Sequence, residues 1–176
     1  MEYDKDGFDQ DGFNEKGLNR DGYNRDGMKK VTYNTMPKHM FRKYDYSWIR
    51  FGEHMNKIFK SLSTDNYYSF DCIYPLSAGG LIMAAAIAKK YDVPVINDKS
   101  KINETTLIVD DATKGGSTIR TIRRSFGKRK CMTIVLVGKD ISRYDEGKFC
   151  EKVDMRDWVI FPWTPEGAFE RFVNEE

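Results

Sequence analysis

The sequence predicts an α/β domain with a largely parallel sheet flanked by helices, preceded by an N-terminal arm of repeated turns. Three observations predict it. A five-residue repeat occupies residues 3–27; short Val/Ile-rich runs then alternate with segments of helical period; and one such run ends in two acids followed by a Gly/Ser/Thr loop. A sheet buried on both faces by helices needs strands that are apolar throughout rather than alternating, and that is the pattern after residue 70.

The arm comes first. Its units are headed by Tyr3, Phe8, Phe13, Leu18 and Tyr23, each followed by Asp or Asn, two polar residues and a glycine. An Asx side chain bonds the backbone two residues on, and glycine accepts positive φ, so each unit reads as a turn. A period of five fits neither helix nor strand. Three readings stay open here: a solvated arm, a compact turn array that lays its apolar residues against a partner or the main domain, and cation binding by Asp4-x-Asp6-Gly7 and Asp9-x-Asp11-Gly12. The last lacks the closing Glu of a calcium loop. The repeat resembles the Asp-Gly-aromatic pentad arrays of some phage and bacterial proteins. We divide the chain into this arm, 1–30, and a domain, 31–176.

In the domain, Trp48, Phe51, Met55, Ile58, Phe59 and Leu62 recur at helical spacing, predicting a helix over 47–62. A strand over 71–76, an Ala-rich helix over 79–91 and a short strand over 93–96 follow. Next come a β-branched strand over 105–109, a helix over 117–126, strands over 132–137 and 158–161, and a closing helix over 166–173. Ligands of such sheets gather at the carboxyl ends of the strands.

Composition narrows the function. No run approaches the ~18 apolar residues of a membrane span, and no apolar stretch near the N-terminus suggests a secretory signal. Cys72, Cys131 and Cys150 are widely separated, without a CxxC, so a cytoplasmic location is expected and a disulfide framework or zinc site is not. Residues 1–30 hold 6 basic and 8 acidic residues, and 31–176 hold 23 and 19, so a net +2 is an acidic arm on a mildly basic domain. That balance argues against a generic nucleic-acid binder. The basic run Arg120, Arg123, Arg124, Lys128, Arg129 and Lys130 reads first as a solvated helix face, and otherwise as a contact for nucleic acid or an acidic partner.

The chemistry concentrates in Thr106-Leu-Ile-Val-Asp110-Asp111-Ala112-Thr113-Lys114-Gly115-Gly116-Ser117-Thr118. A strand ending in two acids opens into a loop whose amides and hydroxyls can cradle phosphate at a helix N-terminus. The acids suit sugar hydroxyls, or a magnesium ion between sugar and diphosphate. Sugar beside phosphate means a ribose phosphate; the alternative is a strand-to-helix turn with Asp caps. Neither a P-loop nor a GxGxxG follows a strand elsewhere.

Acids placed before the glycine loop resemble the ribose-phosphate signature of type I phosphoribosyltransferases. Tyr74-Pro-Leu-Ser77-Ala78-Gly79-Gly80-Leu81 is similar to that family's diphosphate loop. Within the family the similarity is to the xanthine-guanine type of purine enzyme. Lys139 matches the lysine that reads a purine 6-oxo group, and Trp158-Val-Ile-Phe-Pro-Trp163 looks like the segment that stacks on the base. An exposed lysine and a core tryptophan are the plainer alternatives for these two. The resemblance spans about residues 45–165 and none of the arm. It implies transfer of ribose 5-phosphate from phosphoribosyl diphosphate to a 6-oxopurine, with magnesium (Mg2+) as cofactor, a purine base or nucleotide as the other ligand, and a homodimer. It assigns Asp110 and Asp111 to the ribose hydroxyls, with Asp111 also on the metal, and Lys114 to the catalytic position. Ala112, Thr113, Gly115, Gly116, Ser117 and Thr118 fall to the 5-phosphate. Ser77, Ala78, Gly79 and Gly80 fall to diphosphate, and Lys139, Trp158 and Val159 to the base.

Three departures bear on catalysis. Ala78 stands where the family carries Arg, Lys114 where it carries an Asp that works as general acid/base, and Gly115 replaces a Thr beside it. The third is the connection from Ile96 to Thr105, too short for the family's mobile hood. A catalytically silent nucleotide binder of the same fold is therefore the second reading, and an adaptor whose arm does the binding the third.

Overall fold

In the computed structural model of the chain, residues 4–21, 25, 36–64, 69–114, 116, 119–122, 132–139 and 148–174 are described. The chain divides into two compact units, residues 1–40 and 41–176.

In the first unit the pentads form a regular turn array. The side-chain Oδ1 of Asp4 accepts from the amides of Asp6 and Phe8, Asp9 from Asp11 and Phe13, and Asn14 from Lys16 and Leu18, at 2.9–3.2 Å. Gly7, Gly12 and Gly17 take φ of 84°, 81° and 69°, which turns the chain into the next unit. Arg20 pairs with Asp6 at 3.1 Å and lies over the Phe8 ring; one pentad on, Arg25 pairs with Asp11 at 2.9 Å and lies over Phe13. The same contact thus recurs with the period of the sequence, across 14 residues. Backbone amides, above all that of Phe8, hold the Asp4 carboxyl below its usual range, and that of Phe13 does the same for Asp9. These carboxylates are engaged by amides and arginines. The units headed by Tyr3 and Tyr23 lie at least partly outside the described residues.

The second unit carries two parallel sheets. Four strands, β2 (Cys72–Pro75), β3 (Thr106–Lys114), β4 (Met132–Lys139) and β5 (Lys148–Lys152), run side by side in chain order. Two more, β1 (Arg42–Asp45) and β6 (Asp157–Ile160), pair with each other in a separate sheet. Helices α1 (Trp48–Thr64), α2 (Ala78–Tyr91) and α3 (Ala168–Asn174) are described as well, and residues 119–122 are helical.

Strand β3 is central because its residues are apolar on both sides. Leu107 and Val109 pack into a core with Met83, Ala84 and Ile87 of α2 and Met55, Ile58 and Leu62 of α1. Ile108, pointing the other way, joins Ile102 and Ile122. A strand's side chains alternate, so one Val/Ile-rich run serves two cores at once.

Three expectations need correction, and strands β1 and β5 were not expected. The segment 93–96 makes only an isolated parallel bridge, Ile73↔Val95, because Pro94 lacks an amide for a ladder. The segment 158–161 does not extend the main sheet; as β6 it pairs with β1, which the pattern of residues 42–45 did not reveal. Strand β5 also went unread, since Lys148-Phe-Cys-Glu-Lys152 is an edge strand with charged ends. Finally, β3 continues past the acids to Lys114, pairing Ala112 with Val137 and Thr113 with Gly138. The connection 97–105 is short, as expected, and is compacted by Asp98 capping a 3-10 turn and by Asn103 bonding Thr105 and Thr106. The predicted helix beyond residue 122 lies outside the described residues.

No helix among the described residues is long and apolar enough to cross a membrane.

Nothing stands within 4 Å of a Cβ built on Gly12, so its left-handed φ alone resists substitution. Gly12→Ala should cost about 1–2 kcal/mol of local stability, and Gly12→Asn less. Limited trypsin digestion checks this: cleavage after Arg20 and Arg25 should be faster in the Ala variant than in wild type, with Asn between them.

Candidate functional site

The site lies where the carboxyl ends of β2 and β3 meet the start of α2. Ser77 caps α2: its backbone is extended (φ −139°, ψ 170°), and its Oγ accepts from the Gly80 amide at 2.9 Å. The same hydroxyl donates to Asp110 Oδ1 at 2.6 Å, with Asp111 Oδ1 at 3.3 Å. The Ser77 hydroxyl thus joins the helix cap to the acid pair. The amides of Ala78 and Gly79, at the open end of the helix, meet no acceptor among the described residues.

Asp111 is held on both oxygens. Its Oδ1 accepts from the Ala112 amide at 2.9 Å and its Oδ2 from the indole Nε1 of Trp163 at 3.0 Å. Asp110 Oδ1 takes the Ser77 hydroxyl and the Asp111 amide, and no hydrogen bond reaches its Oδ2 among the described residues. Burial, opposed by the Ser77 hydrogen bond and reinforced by the Asp111 charge, pushes the Asp110 carboxyl up from its ordinary value.

Close packing explains both glycines of the loop. A Cβ on Gly79 would stand 1.6 Å from Asp111 Oδ2 and 2.9 Å from the Trp163 indole nitrogen. One on Gly80 would stand 2.8 Å from the Val109 carbonyl oxygen. The helix start therefore rests directly on the strand that carries the acids.

Four residues beyond Asp110, Lys114 ends β3 in register with Lys139, which ends β4. Burial drives Lys139 down to about 8, against the attraction of Asp157, and burial also lowers Lys114. Asp157 is itself buried, accepting from Arg42 Nε at 2.5 Å and from the Asp154 amide at 2.9 Å. Two acids and two lysines thus line up along the exit of the two central strands. Sequence separation hides the Lys114–Lys139 pairing, which only the β3–β4 register creates.

Trp158 is placed differently from the expectation. It stacks on Phe172 of α3 at 4.0 Å and 25°, with Phe41 and Phe169 edge-on to it. One face of the ring is therefore already occupied, by Phe172. Val159 follows it in β6, paired with Tyr44. The indole that reaches the acids is Trp163, to which residue-type reasoning gave no role; its only sequence signal was a second tryptophan in the same segment. Ala112 and Thr113 are strand residues, so the Gly/Ser/Thr loop expected to take phosphate begins beyond Lys114. Of that loop Gly116 is described, with φ 64° and its carbonyl accepting from Arg120 at 2.9 Å. Gly115, Ser117, Thr118 and the basic residues from Arg123 to Lys130 lie outside the described residues.

Solved structures share this arrangement of chain. A purine phosphoribosyltransferase from Pyrococcus horikoshii matches with a TM-score of 0.57 at 18% identity, over 70% of this chain and 95% of that one. A xanthine-guanine-hypoxanthine phosphoribosyltransferase from Helicobacter pylori matches at 0.57 and 16%, over 70% and 94%. The fold is that of the type I phosphoribosyltransferases. A hypothetical protein from Neisseria gonorrhoeae, solved with bound ppGpp, has a TM-score of 0.58 at 14% identity, over 77% of this chain and 97% of that one. No protein-family model matches the chain. In this fold, the acids in the carboxyl-terminal half of β3 and the cap of α2 lie toward the carboxyl end of a parallel sheet, where crevices for ligands form.

The residues present fit a divalent cation. Two adjacent carboxylates share one hydroxyl, and a cation would offset both the burial that raises Asp110 and the lesser repulsion from Asp111. No group of three or more His, Cys, Asp or Glu able to hold a metal occurs among the described residues. The rest of an octahedral shell would therefore be water and substrate oxygens, as magnesium prefers.

Two measurements check this geometry. Gly79→Ala should displace the Asp111 carboxylate and destabilise the domain by about 1–3 kcal/mol, read as a lower denaturation midpoint. Lys139, depressed when folded, binds a proton less readily than in the unfolded chain between about 8 and its ordinary 10.5. Stability should therefore rise with pH across that window, and the wild-type minus Lys139→Met difference in unfolding free energy should show the rise.

Proposed function

We propose that the protein transfers ribose 5-phosphate from phosphoribosyl diphosphate to a 6-oxopurine base. The observation that supports this most is the order of charges at the end of β3 and β4: a carboxylate pair beside the open amides of α2, then a register-matched pair of lysines. A sugar with a diphosphate on one carbon and a phosphate on another presents hydroxyls, an anion and a reacting carbon in that kind of sequence.

No protein nucleophile is required, since charge develops on the ribose ring as the diphosphate departs. The protein's task is alignment and electrostatic support. In this reading Asp110 and Asp111 bind the ribose hydroxyls and stabilise the positive charge that develops nearby. The Ala78 and Gly79 amides receive the leaving diphosphate. The acids so close to those amides would repel that anion, and a magnesium ion held by Asp110 and Asp111 would screen the repulsion. Gly116 and its neighbours Gly115, Ser117 and Thr118 take the 5-phosphate. Lys139, an ammonium below about pH 8, donates to the purine 6-oxo oxygen, and Val159 offers its backbone to the base edge. Lys114 stands where a carboxylate acid/base is expected and supplies positive charge instead, offsetting the guanidinium that Ala78 lacks.

A second reading has specific support. Lys114 and Ala78 remove two parts of the transfer machinery while leaving the acids and Lys139 in place, which suits a protein that binds a nucleotide without turning it over. The similarity to a structure solved with ppGpp bound accords with it. The assignment to a homodimer in the cytoplasm remains part of the proposal.

Calorimetric titration with magnesium and phosphoribosyl diphosphate, and with a purine nucleotide, followed by turnover assays on guanine, xanthine and hypoxanthine, separates the two. Transfer to at least one base is the expected result, with base affinity falling as pH rises through about 8. Binding without turnover establishes the second reading, and no binding of either ligand removes both.

A further inference from the structure

Trp163 reaches Asp111 across 52 residues of sequence and is fixed from several sides. Its ring lies parallel to that of the buried Phe161, at 4.9 Å and 8°, with Phe51 edge-on at 5.6 Å and Trp48 tilted against it at 5.6 Å. The turn that carries it is closed at both ends. The Phe161 amide donates to Thr164 Oγ1 at 2.9 Å, and the Thr164 amide donates back to the Phe161 carbonyl at 2.9 Å. On the remaining side Gly79 leaves no room for even a methyl group. An indole so confined has one place to direct its single N–H, and Asp111 Oδ2 lies there at 3.0 Å.

The two acids are consequently unequal. Asp111 is anchored at Oδ1 by the Ala112 amide and at Oδ2 by Trp163, whereas Asp110 is anchored at Oδ1 only. We infer that Trp163 is a positioning residue for the acid pair. It holds the Asp111 carboxylate in one orientation before a ligand arrives, and leaves Asp110 as the member free to adjust. A carboxylate pinned in advance spends no rotamer freedom when ligand arrives, so the contact acts on binding more than on the chemical step. The inference rests on the phosphoribosyl reading above and adds a residue that carries none of the substrate contacts itself.

Trp163→Phe tests it, because phenylalanine keeps a ring for Phe161 and Phe51 to pack against and removes the N–H alone. With magnesium and phosphoribosyl diphosphate, the dissociation constant and KM should rise about tenfold, as the loss of one hydrogen bond to a charged group predicts, while kcat changes little. A purely structural Trp163 would lower the melting temperature and leave the affinity of the folded protein as in wild type. Independently of activity, the three tryptophans give three indole N–H resonances. The one lost in Trp163→Phe should be the one that moves in Asp111→Asn, with the Trp48 and Trp158 resonances unmoved. The inference is overturned by an unmoved Trp163 resonance in Asp111→Asn. It is also overturned by Trp163→Phe binding like a wild type that does bind. A wild type that binds neither phosphoribosyl diphosphate nor a purine nucleotide overturns the functional reading and, with it, the positioning role; the indole resonance would then report a contact without a ligand to serve.

Discussion

The first turn of α2 lies so close to β3 that a methyl group on Gly80 would stand 2.8 Å from the Val109 carbonyl oxygen. This approach puts the Ser77 hydroxyl within 2.6 Å of Asp110, brings open helix amides beside the acids and brings Asp111 under the Trp163 indole. Move the helix outward by the width of one side chain and the cap, the carboxylates and the indole part company. The glycines at 79 and 80 are therefore a packing requirement before they are a binding one. Their cost in helix propensity is offset by burial of Met83, Ala84 and Ile87 against Leu107 and Val109.

Electrostatics follows from the same closeness. Two carboxylates and a helix N-terminus attract each other, yet the carboxylates repel, and burial, with that repulsion adding to it, raises Asp110. A few residues on, burial works in the opposite direction on Lys139 and Lys114, lowering both. The end of the central strands thus holds charges of both signs, with Asp110, Lys114 and Lys139 less comfortable than in water, arranged in the order acid then base. A ligand with hydroxyls, phosphates and a carbonyl satisfies both halves; a simple anion or cation satisfies one.

Much of this was legible in the residues. Helices α1 and α2, strands β2, β3 and β4 and the acid pair all followed from apolar period and from acids at a strand end. The arm's turns followed from Asx and Gly at fixed places, and they form with those side chains on those amides. What escaped was tertiary in origin. Strand β1 is a mixture of charge and aromatic residues that becomes a strand only by pairing with β6, and β5 is an edge that borrows its order from β4. Trp158 and Trp163 look alike in sequence, five residues apart. Phe172 claims the ring of the first and Asp111 the N–H of the second, and neither partner is near in the chain.

The sequence by itself determined a parallel α/β domain, a pentad arm of turns, and acids followed by a glycine loop at the end of a buried strand. It could do so because each rests on local physics: side-chain period, turn preference and the placing of charge at a strand terminus. Only the tertiary structure decided that β3 runs on to pair Lys114 with Lys139, that Ser77 serves the acids, and that Trp163 rather than Trp158 meets them. Those outcomes depend on strand register and on how near one helix stands to one strand, quantities that packing sets and no short stretch of residues contains.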